Sequence, residues 1–240
     1  MKEKLYTIPV NDAFHDADEC PICTMYQTLE ANAIDFTMGP SYMEDDIREV
    51  TNEQGFCEKH IRMLYKNQNR LGLSLMLSTH MKKTREDLEK LLAGGTPKSS
   101  GLFKKKSSES PIVAYINRVN KSCFVCNRIE QVFNRYLVTI LYLYKTDESF
   151  KQSFASCKGF CMNHFKMLYE MAPNELSGNV LEAFINDLNK SYLDNMKRVE
   201  EDLLWFIDKF DYRFANEPWK NSKDALPRSI LKLNSTSIEE

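Results

Sequence analysis

Seven cysteines and four histidines lie along this 240-residue chain, and most of them follow a repeated pattern. Two Cys-x-x-Cys pairs and two Cys-x-x-His pairs supply thiolate and imidazole groups, which are the ligands that zinc prefers in proteins. Three thiolates and one imidazole close a tetrahedral site. The pattern therefore predicts two structural Cys₃His centres and a complement of two zinc ions per chain. The candidate ligands are Cys20, Cys23, Cys57, His60, Cys123, Cys126, Cys161 and His164.

The ligand pairs are duplicated along the chain. The Cys20–Cys23 pair recurs as Cys123–Cys126 at an offset of 103 residues, and the Gly-Phe-Cys-x-x-His segment at 55–60 recurs at 159–164 at an offset of 104. This repeat predicts two tandem homologous units. We expect each half of the sequence to close its own centre, although homologous halves also permit an exchange of ligand pairs. The first centre would then contain Cys20, Cys23, Cys57 and His60, and the second Cys123, Cys126, Cys161 and His164.

The elements that position these pairs are helices. Apolar residues recur at helical spacing, and no convincing strand pattern is present, so the sequence predicts an all-α fold. Both kinds of ligand pair lie at helix starts, where exposed backbone N–H groups favour the thiolate form. The predicted helices span 22–37, 42–50, 58–67 and 71–92 in the first half and 112–120, 125–144, 162–171 and 179–210 in the second.

Composition divides the chain into four segments. Residues 1–92 form the first metal-binding repeat and residues 112–212 the second. Between them, residues 93–111 are rich in Gly, Ser and Lys, which is typical of a flexible linker. Residues 213–240 are polar and contain interspersed prolines, and we expect them to form an extended C-terminal tail.

Charge and hydropathy limit the classes of partner and the compartment. The net charge is -2, so the sequence as a whole has no strong attraction for nucleic acid. The longest nearly apolar run, 136–144, is shorter than the roughly 20 residues of a membrane-spanning helix. Residues 1–14 lack the apolar core of a secretory signal. We therefore expect a cytoplasmic protein without a membrane segment, in which the cysteines bind metal and do not form disulfides.

Other interpretations of the cysteines stay open. Three Cys and one His can also hold an iron–sulfur cluster, and isolated cysteines often pack as small apolar residues. Cys157 lies outside the repeat and is interpreted as a spare thiol, or alternatively as a resolving cysteine in a redox protein.

Arg62 and Lys166 occupy matched positions after the histidines. We hypothesise that they offset the negative charge of the thiolates, although they could equally be surface cations.

Residues next to the ligands are interpreted as an apolar shell that packs the metal-bearing helices. This shell comprises Phe56, Phe160 and the matched segments 63–65 and 167–169. The tyrosines of 136–144 are likewise interpreted as core. Three lysines at 104–106 are interpreted as solvated linker residues.

The chain resembles an uncharacterised bacterial family that is catalogued as a domain of unknown function. The resemblance rests on the Cys-Pro-Ile-Cys start, on the two Gly-Phe-Cys-x-x-His segments, and on the C-terminal segments 210–213, 217–219 and 224–229. It covers nearly the whole chain and implies one full-length family unit in which the Cys and His positions matter. Family members are often labelled automatically as ABC-transporter substrate-binding proteins, but the lack of an export signal or lipid-anchor cysteine argues against that label here.

These observations together predict a zinc-binding protein with two structural centres and a protein partner bound by its outer surface or tail. It would act as a protein-interaction or regulatory module. A catalytic role is not expected, because no Ser-His-Asp order, carboxylate pair, phosphate loop or open metal position can be identified. The first alternative is an iron–sulfur or thiol-based redox or sensor protein. A nucleic-acid-binding regulator is the further alternative.

Overall fold

The computed structural model describes residues 4–16, 18–94 and 109–238. This described part consists of eleven α-helices and two short 3-10 helices, with no strand, which confirms the predicted all-α fold. The 3-10 helices are Pro40–Met43 and Tyr212–Phe214. The α-helices are α1 Lys4–His15, α2 Pro21–Met38, α3 Asp45–Gln54, α4 Glu58–Lys66, α5 Arg70–Leu92, α6 Pro111–Lys121, α7 Phe124–Thr146, α8 Glu148–Ser156, α9 Met162–Glu175, α10 Gly178–Asp208 and α11 Ala225–Asn234.

The eight helices expected from apolar periodicity are all present, whereas α1, α8 and α11 were not predicted. Helix α11 lies in the segment that we expected to be extended, so that expectation is wrong. Its buried residues Ala225, Ser229 and Lys232 recur at helical spacing, and the helix contacts α9 and α10. Most of the predicted linker, residues 95–108 including the three lysines, lies outside the described residues.

The chain packs into two compact units whose boundaries differ from those of the predicted tandem repeats. Unit 1 consists of Met1–Thr28 and Phe133–Glu240, and unit 2 consists of Leu29–Val132. The divisions fall inside α2 and α7. Each unit therefore contains sequence from both halves of the repeat, whereas residues 1–92 and 112–212 were expected to fold as separate repeats.

The core of unit 1 is aromatic. Phe150, Phe154, Phe160 and Phe184 are almost fully buried. Their rings, with that of Phe14, meet at centroid distances of 4.9 to 6.3 Å, mostly in tilted or edge-on arrangements. This cluster fixes the backbone next to a candidate ligand, because Phe160 immediately precedes Cys161. The tyrosines at 136 and 144 are also buried, as expected for core residues, whereas Tyr142 is exposed.

The core of unit 2 is built around the contact between α3 and α5. Leu64, Leu73 and Met76 are buried there. Asn69 fixes the start of α5, because its side chain accepts a hydrogen bond from the Gly72 N–H at 3.0 Å and donates to the Met38 carbonyl at 2.8 Å. Within the described ranges of the chain, no helix combines the length and apolar character needed to span a bilayer.

Candidate metal centres

The eight candidate ligands gather into two groups of four, one in each unit. Within each group, the four ligand atoms lie within 4.8 Å of one another. Each group combines the Cys-x-x-Cys pair of one sequence half with the Cys-x-x-His pair of the other. The expected closure of each centre within one half is therefore corrected, and the exchange between halves is what the structure shows. The groups are Cys20, Cys23, Cys161 and His164 in unit 1, and Cys57, His60, Cys123 and Cys126 in unit 2.

Helix starts position the ligands in the same way in both units. Cys57 and Cys161 are the residues that cap α4 and α9, and their backbones are nearly identical, with φ/ψ of -73°/167° and -76°/163°. Each histidine follows one turn later, on the same face as its cysteine. Cys20 immediately precedes α2, and Cys123 immediately precedes α7. Because the two residues of every pair are three positions apart at a helix start, their ligand atoms lie next to each other.

Glycine is required two residues before each capping cysteine. Gly55 and Gly159 have φ of +62° and +80°, a region that L side chains rarely adopt. A Cβ atom on Gly55 would lie 2.6 Å from His80 Nε2, and one on Gly159 would lie 2.9 Å from the Ser191 carbonyl oxygen. The Gly-Phe-Cys segment therefore depends on glycine for both backbone conformation and space.

The interatomic distances in unit 1 fit a single tetrahedral ion. His164 Nδ1 lies 3.5, 3.3 and 3.2 Å from the sulfurs of Cys20, Cys23 and Cys161. The sulfurs of Cys23 and Cys161 are 3.6 Å apart. A tetrahedral zinc ion with ordinary bond lengths requires sulfur–sulfur separations of about 3.8 Å and nitrogen–sulfur separations of about 3.6 Å. The observed spacing leaves room for one ion of this size.

The group in unit 2 has the same geometry. His60 Nδ1 lies 3.3 Å from each of the three sulfurs, and the sulfurs of Cys57 and Cys126 are 3.8 Å apart. Burial distinguishes the two groups. All four ligands of unit 1 are buried, whereas Cys57 and Cys126 in unit 2 are partly exposed.

A profile of a family of unknown function, DUF6062, matches residues 1–240. The chain belongs to DUF6062. No curated protein and no solved structure matches it. The resemblance to an uncharacterised family is confirmed, and the function of this DUF6062 protein has to be argued from its own residues.

Burial and hydrogen bonds among the candidate ligands of the DUF6062 chain shift the pKa values of their thiols in opposite directions. Hydrogen bonds with Cys20 and Cys23 lower the pKa of Cys161 far below its ordinary range. In unit 2, burial opposes ionisation of Cys123, but hydrogen bonds with His60, with two backbone groups and with Cys126 together outweigh it and lower the pKa to about 6. Burial raises the pKa of Cys20 and of Cys126 to about 12. Binding of an ion therefore displaces thiol protons.

Glu30 supports the histidine of unit 2. Its carboxylate accepts a hydrogen bond from His60 Nε2 at 2.9 Å and lies 2.5 Å from Lys59 Nζ. Burial alone would lower the pKa of His60, but hydrogen bonds with Cys123 and Glu30 raise it to about 9. Such a carboxylate orients the ring so that Nδ1 faces the sulfurs, and it raises the basicity of the ligand.

The two centres differ at the position of this carboxylate. The offset of 103 residues that relates the Cys-x-x-Cys pairs places Phe133 opposite Glu30. The Phe133 ring packs against the ring of His164 with centroids 5.6 Å apart. The histidine of unit 2 thus contacts a carboxylate, whereas that of unit 1 contacts an aromatic ring. Glu30 was not predicted from the sequence, although the aligned repeats show a carboxylate in one half opposite an aromatic residue in the other.

We expect Glu30→Gln to weaken metal binding in unit 2 by about tenfold, because the amide keeps a hydrogen-bond acceptor but removes the charge. Competition with a chromogenic chelator measures the affinity of each centre. Glu58→Gln is the matched control in the same unit, since that side chain is 80% exposed and pairs with Arg62. Equal affinities in the two variants would contradict a role for Glu30.

Within each unit, the two ligand-bearing loops are joined to each other, and the joining contact differs between the units. In unit 2, the Ser122 hydroxyl donates to the Gln54 carbonyl at 2.7 Å. The equivalent positions in unit 1 are Glu19 and Lys158, and Lys232 joins them, because its Nζ donates to both carbonyl oxygens at 2.5 Å. Lys232 is 1% exposed and also lies 3.2 Å from a carboxylate oxygen of Glu19. Helix α11 is thus tied to both ligand loops of unit 1.

Arg62 and Lys166 do not offset the thiolate charge. Arg62 pairs with Glu58 at 2.6 Å, Lys166 lies 3.8 Å from Glu170, and all four side chains are largely exposed. Their interpretation as surface cations is the correct one.

Cys157 belongs to neither ligand group, and its sulfur lies 3.8 Å from the Ser191 hydroxyl oxygen. Burial raises the pKa of Cys157.

The predicted apolar shell is present only in part. Leu64, Leu168 and Phe160 are completely buried. Tyr65 and Tyr169, which follow the two leucines, are exposed. Among the other predicted shell residues, Phe56 and Met63 are half-buried, whereas Met167 is exposed like the matched tyrosines.

Proposed function

We propose that this protein is a zinc-binding module with two structural Cys₃His centres, one in each unit, and that it acts through protein interaction in the cytoplasm. The observation that carries the proposal is the closure of both donor sets by four protein side chains. A closed set leaves no position for a substrate or an activated water, which favours a structural role over a catalytic one. Each ion would join two segments that are more than 60 residues apart in sequence.

Zinc fits these groups better than an iron–sulfur cluster. Ligand atoms within 4.8 Å of one another surround a single ion, whereas the ligands of a cluster of several iron atoms have to lie further apart. One imidazole among three thiolates is an ordinary zinc set and an unusual cluster set. The distances between donor atoms therefore favour a mononuclear centre.

An exposed apolar surface supports a protein partner. At the end of α10 and just beyond it, Leu204, Ile207, Phe210 and Tyr212 are between 56% and 87% exposed. Clustered apolar side chains on a surface are typical of protein contacts. The net charge of -2 makes nucleic acid a weaker candidate for the partner.

Elemental analysis of protein purified without oxygen, together with its ultraviolet–visible spectrum, tests the metal assignment. We expect about two zinc ions per chain and a colourless protein. Iron with sulfide and visible absorption would contradict the assignment and favour the redox alternative. A purified chain without bound metal would also contradict it.

A further inference from the structure

The two centres share a ligand set, but only that of unit 2 contains cysteines that are partly exposed. We propose that the centre of unit 2 is a redox site, at which a peroxide oxidises Cys57 and Cys126 to a disulfide and the metal ion is released, while the centre of unit 1 keeps its ion. The inference rests on the proposed function, because it assigns different reactivities to two metal centres of the same composition.

Access to the sulfurs is the first observation that supports the proposal. Cys57 and Cys126 are partly exposed, and their sulfurs are 3.8 Å apart. In unit 1, Cys20, Cys23 and Cys161 are all buried, with exposures of 1%, 7% and 0%. A peroxide has to reach a sulfur atom before it can oxidise it, and susceptibility to oxidation follows exposure and thiolate character. Cys57 and Cys126 are therefore the ligands that a peroxide in solution approaches most readily.

The charges next to the ligands are the second observation. In unit 1, the buried ammonium group of Lys232 is bound to the carbonyl of Glu19, the residue immediately before Cys20. A cation near a metal-bound thiolate withdraws electron density and lowers its nucleophilicity. In unit 2, the Glu30 carboxylate accepts the hydrogen bond of His60, which makes the imidazole a stronger donor to the ion. The same Glu30 oxygen also lies 2.5 Å from Lys59 Nζ, but that ammonium group is largely exposed and therefore screened by solvent.

The oxidation balances with a hydroperoxide as the only oxidant. One thiolate attacks a peroxide oxygen, the O–O bond breaks, and a sulfenic acid and hydroxide form. The second thiolate attacks the sulfenic sulfur and displaces hydroxide, so a sulfur–sulfur bond forms. In total, two thiolates, one hydrogen peroxide and two protons give one disulfide and two waters, and two electrons pass from sulfur to oxygen. Only Cys123 and His60 then stay as ligands, which are too few to hold the ion.

Hydrogen peroxide in excess over both centres, added to the metal-loaded full-length chain with a chromogenic zinc chelator present, tests the proposal. We expect one zinc ion per chain to be released at least about tenfold faster than the second. Peptide mass spectrometry should find the first disulfide between Cys57 and Cys126. The Cys157→Ser chain serves as the background, because it removes the one cysteine that belongs to neither centre.

The outcomes separate this inference from the proposed function. The zinc content before peroxide is added tests the proposed function, and a chain without two ions contradicts it. A chain that starts with two ions but releases both at one rate overturns the redox inference alone. A first disulfide between any other pair of cysteines also overturns it.

Discussion

Removal of both metal ions is expected to abolish most of the cooperative fold. Each centre joins two helix starts that come from distant parts of the sequence, so loss of an ion separates the segments that build its unit. Structural zinc sites contribute on the order of 10 kcal/mol to folding, which is comparable to the whole stability of a typical domain. Circular dichroism at 222 nm, recorded during chelation under reducing conditions, should show a loss of most helical signal.

Readdition of zinc should restore the helical signal, whereas magnesium should not, because thiolate ligands do not suit a hard cation. Retention of full helicity and an unchanged cooperative melting transition after complete chelation would contradict this expectation. Such a result would mean that the aromatic core of unit 1 and the packing of α3 on α5 are sufficient without metal.

Substitution of Lys232 by methionine is expected to destabilise unit 1 by about 3 to 5 kcal/mol, because each of two buried carbonyl oxygens left without a donor costs about 1 to 3 kcal/mol. The substitution removes donors from the carbonyls of Glu19 and Lys158 and a cation from the Glu19 carboxylate. Glu19 is itself only 8% exposed and would keep Arg198, whose Nη2 lies 2.6 Å away. Denaturant unfolding of the metal-loaded chain measures the loss.

Lys190→Met is the matched control for Lys232→Met. The Lys190 side chain is 78% exposed and lies in the same unit, so its substitution should change the free energy of unfolding by less than about 0.5 kcal/mol. Equal stabilities of the two variants would show that α11 contributes nothing to the ligand loops of unit 1.

The helices and the residues of the two Cys/His groups could be predicted because both depend on local spacing. Apolar periodicity identified α2 and α10 to within about three residues, and the i, i+3 spacing identified every residue of the two groups. Helix α11 was missed because the segment around it is polar and contains Pro227. Its start nevertheless carries local signals, namely Asp224 before the first residue and a proline in the first turn.

The pairing of the ligands could not be predicted from the repeat. Both Cys-x-x-Cys pairs have the same chemistry, so spacing alone cannot decide which of them joins Cys57 and His60. The decision depends on contacts between distant segments, such as the hydrogen bond from the Phe124 N–H to the Gly55 carbonyl at 3.0 Å. Lys232 was missed for the same reason, because its partner Glu19 lies more than 200 residues away.

Two double variants distinguish ligand pairs exchanged between the sequence halves from centres closed within one half. Cys20→Ser/Cys161→Ser removes two ligands from the centre of unit 1 and leaves that of unit 2 intact. Cys20→Ser/Cys57→Ser removes one ligand from each centre. The same number of cysteines is lost in both chains, so only the grouping of the ligands distinguishes them.

The zinc content of the two purified double variants is therefore the measurement to make. The structure predicts about one tightly bound zinc ion in Cys20→Ser/Cys161→Ser and less than one in Cys20→Ser/Cys57→Ser, because a closed site needs all four ligands. The reverse result, with one zinc ion only in Cys20→Ser/Cys57→Ser, would mean that each half closes its own centre and would contradict the exchanged pairing.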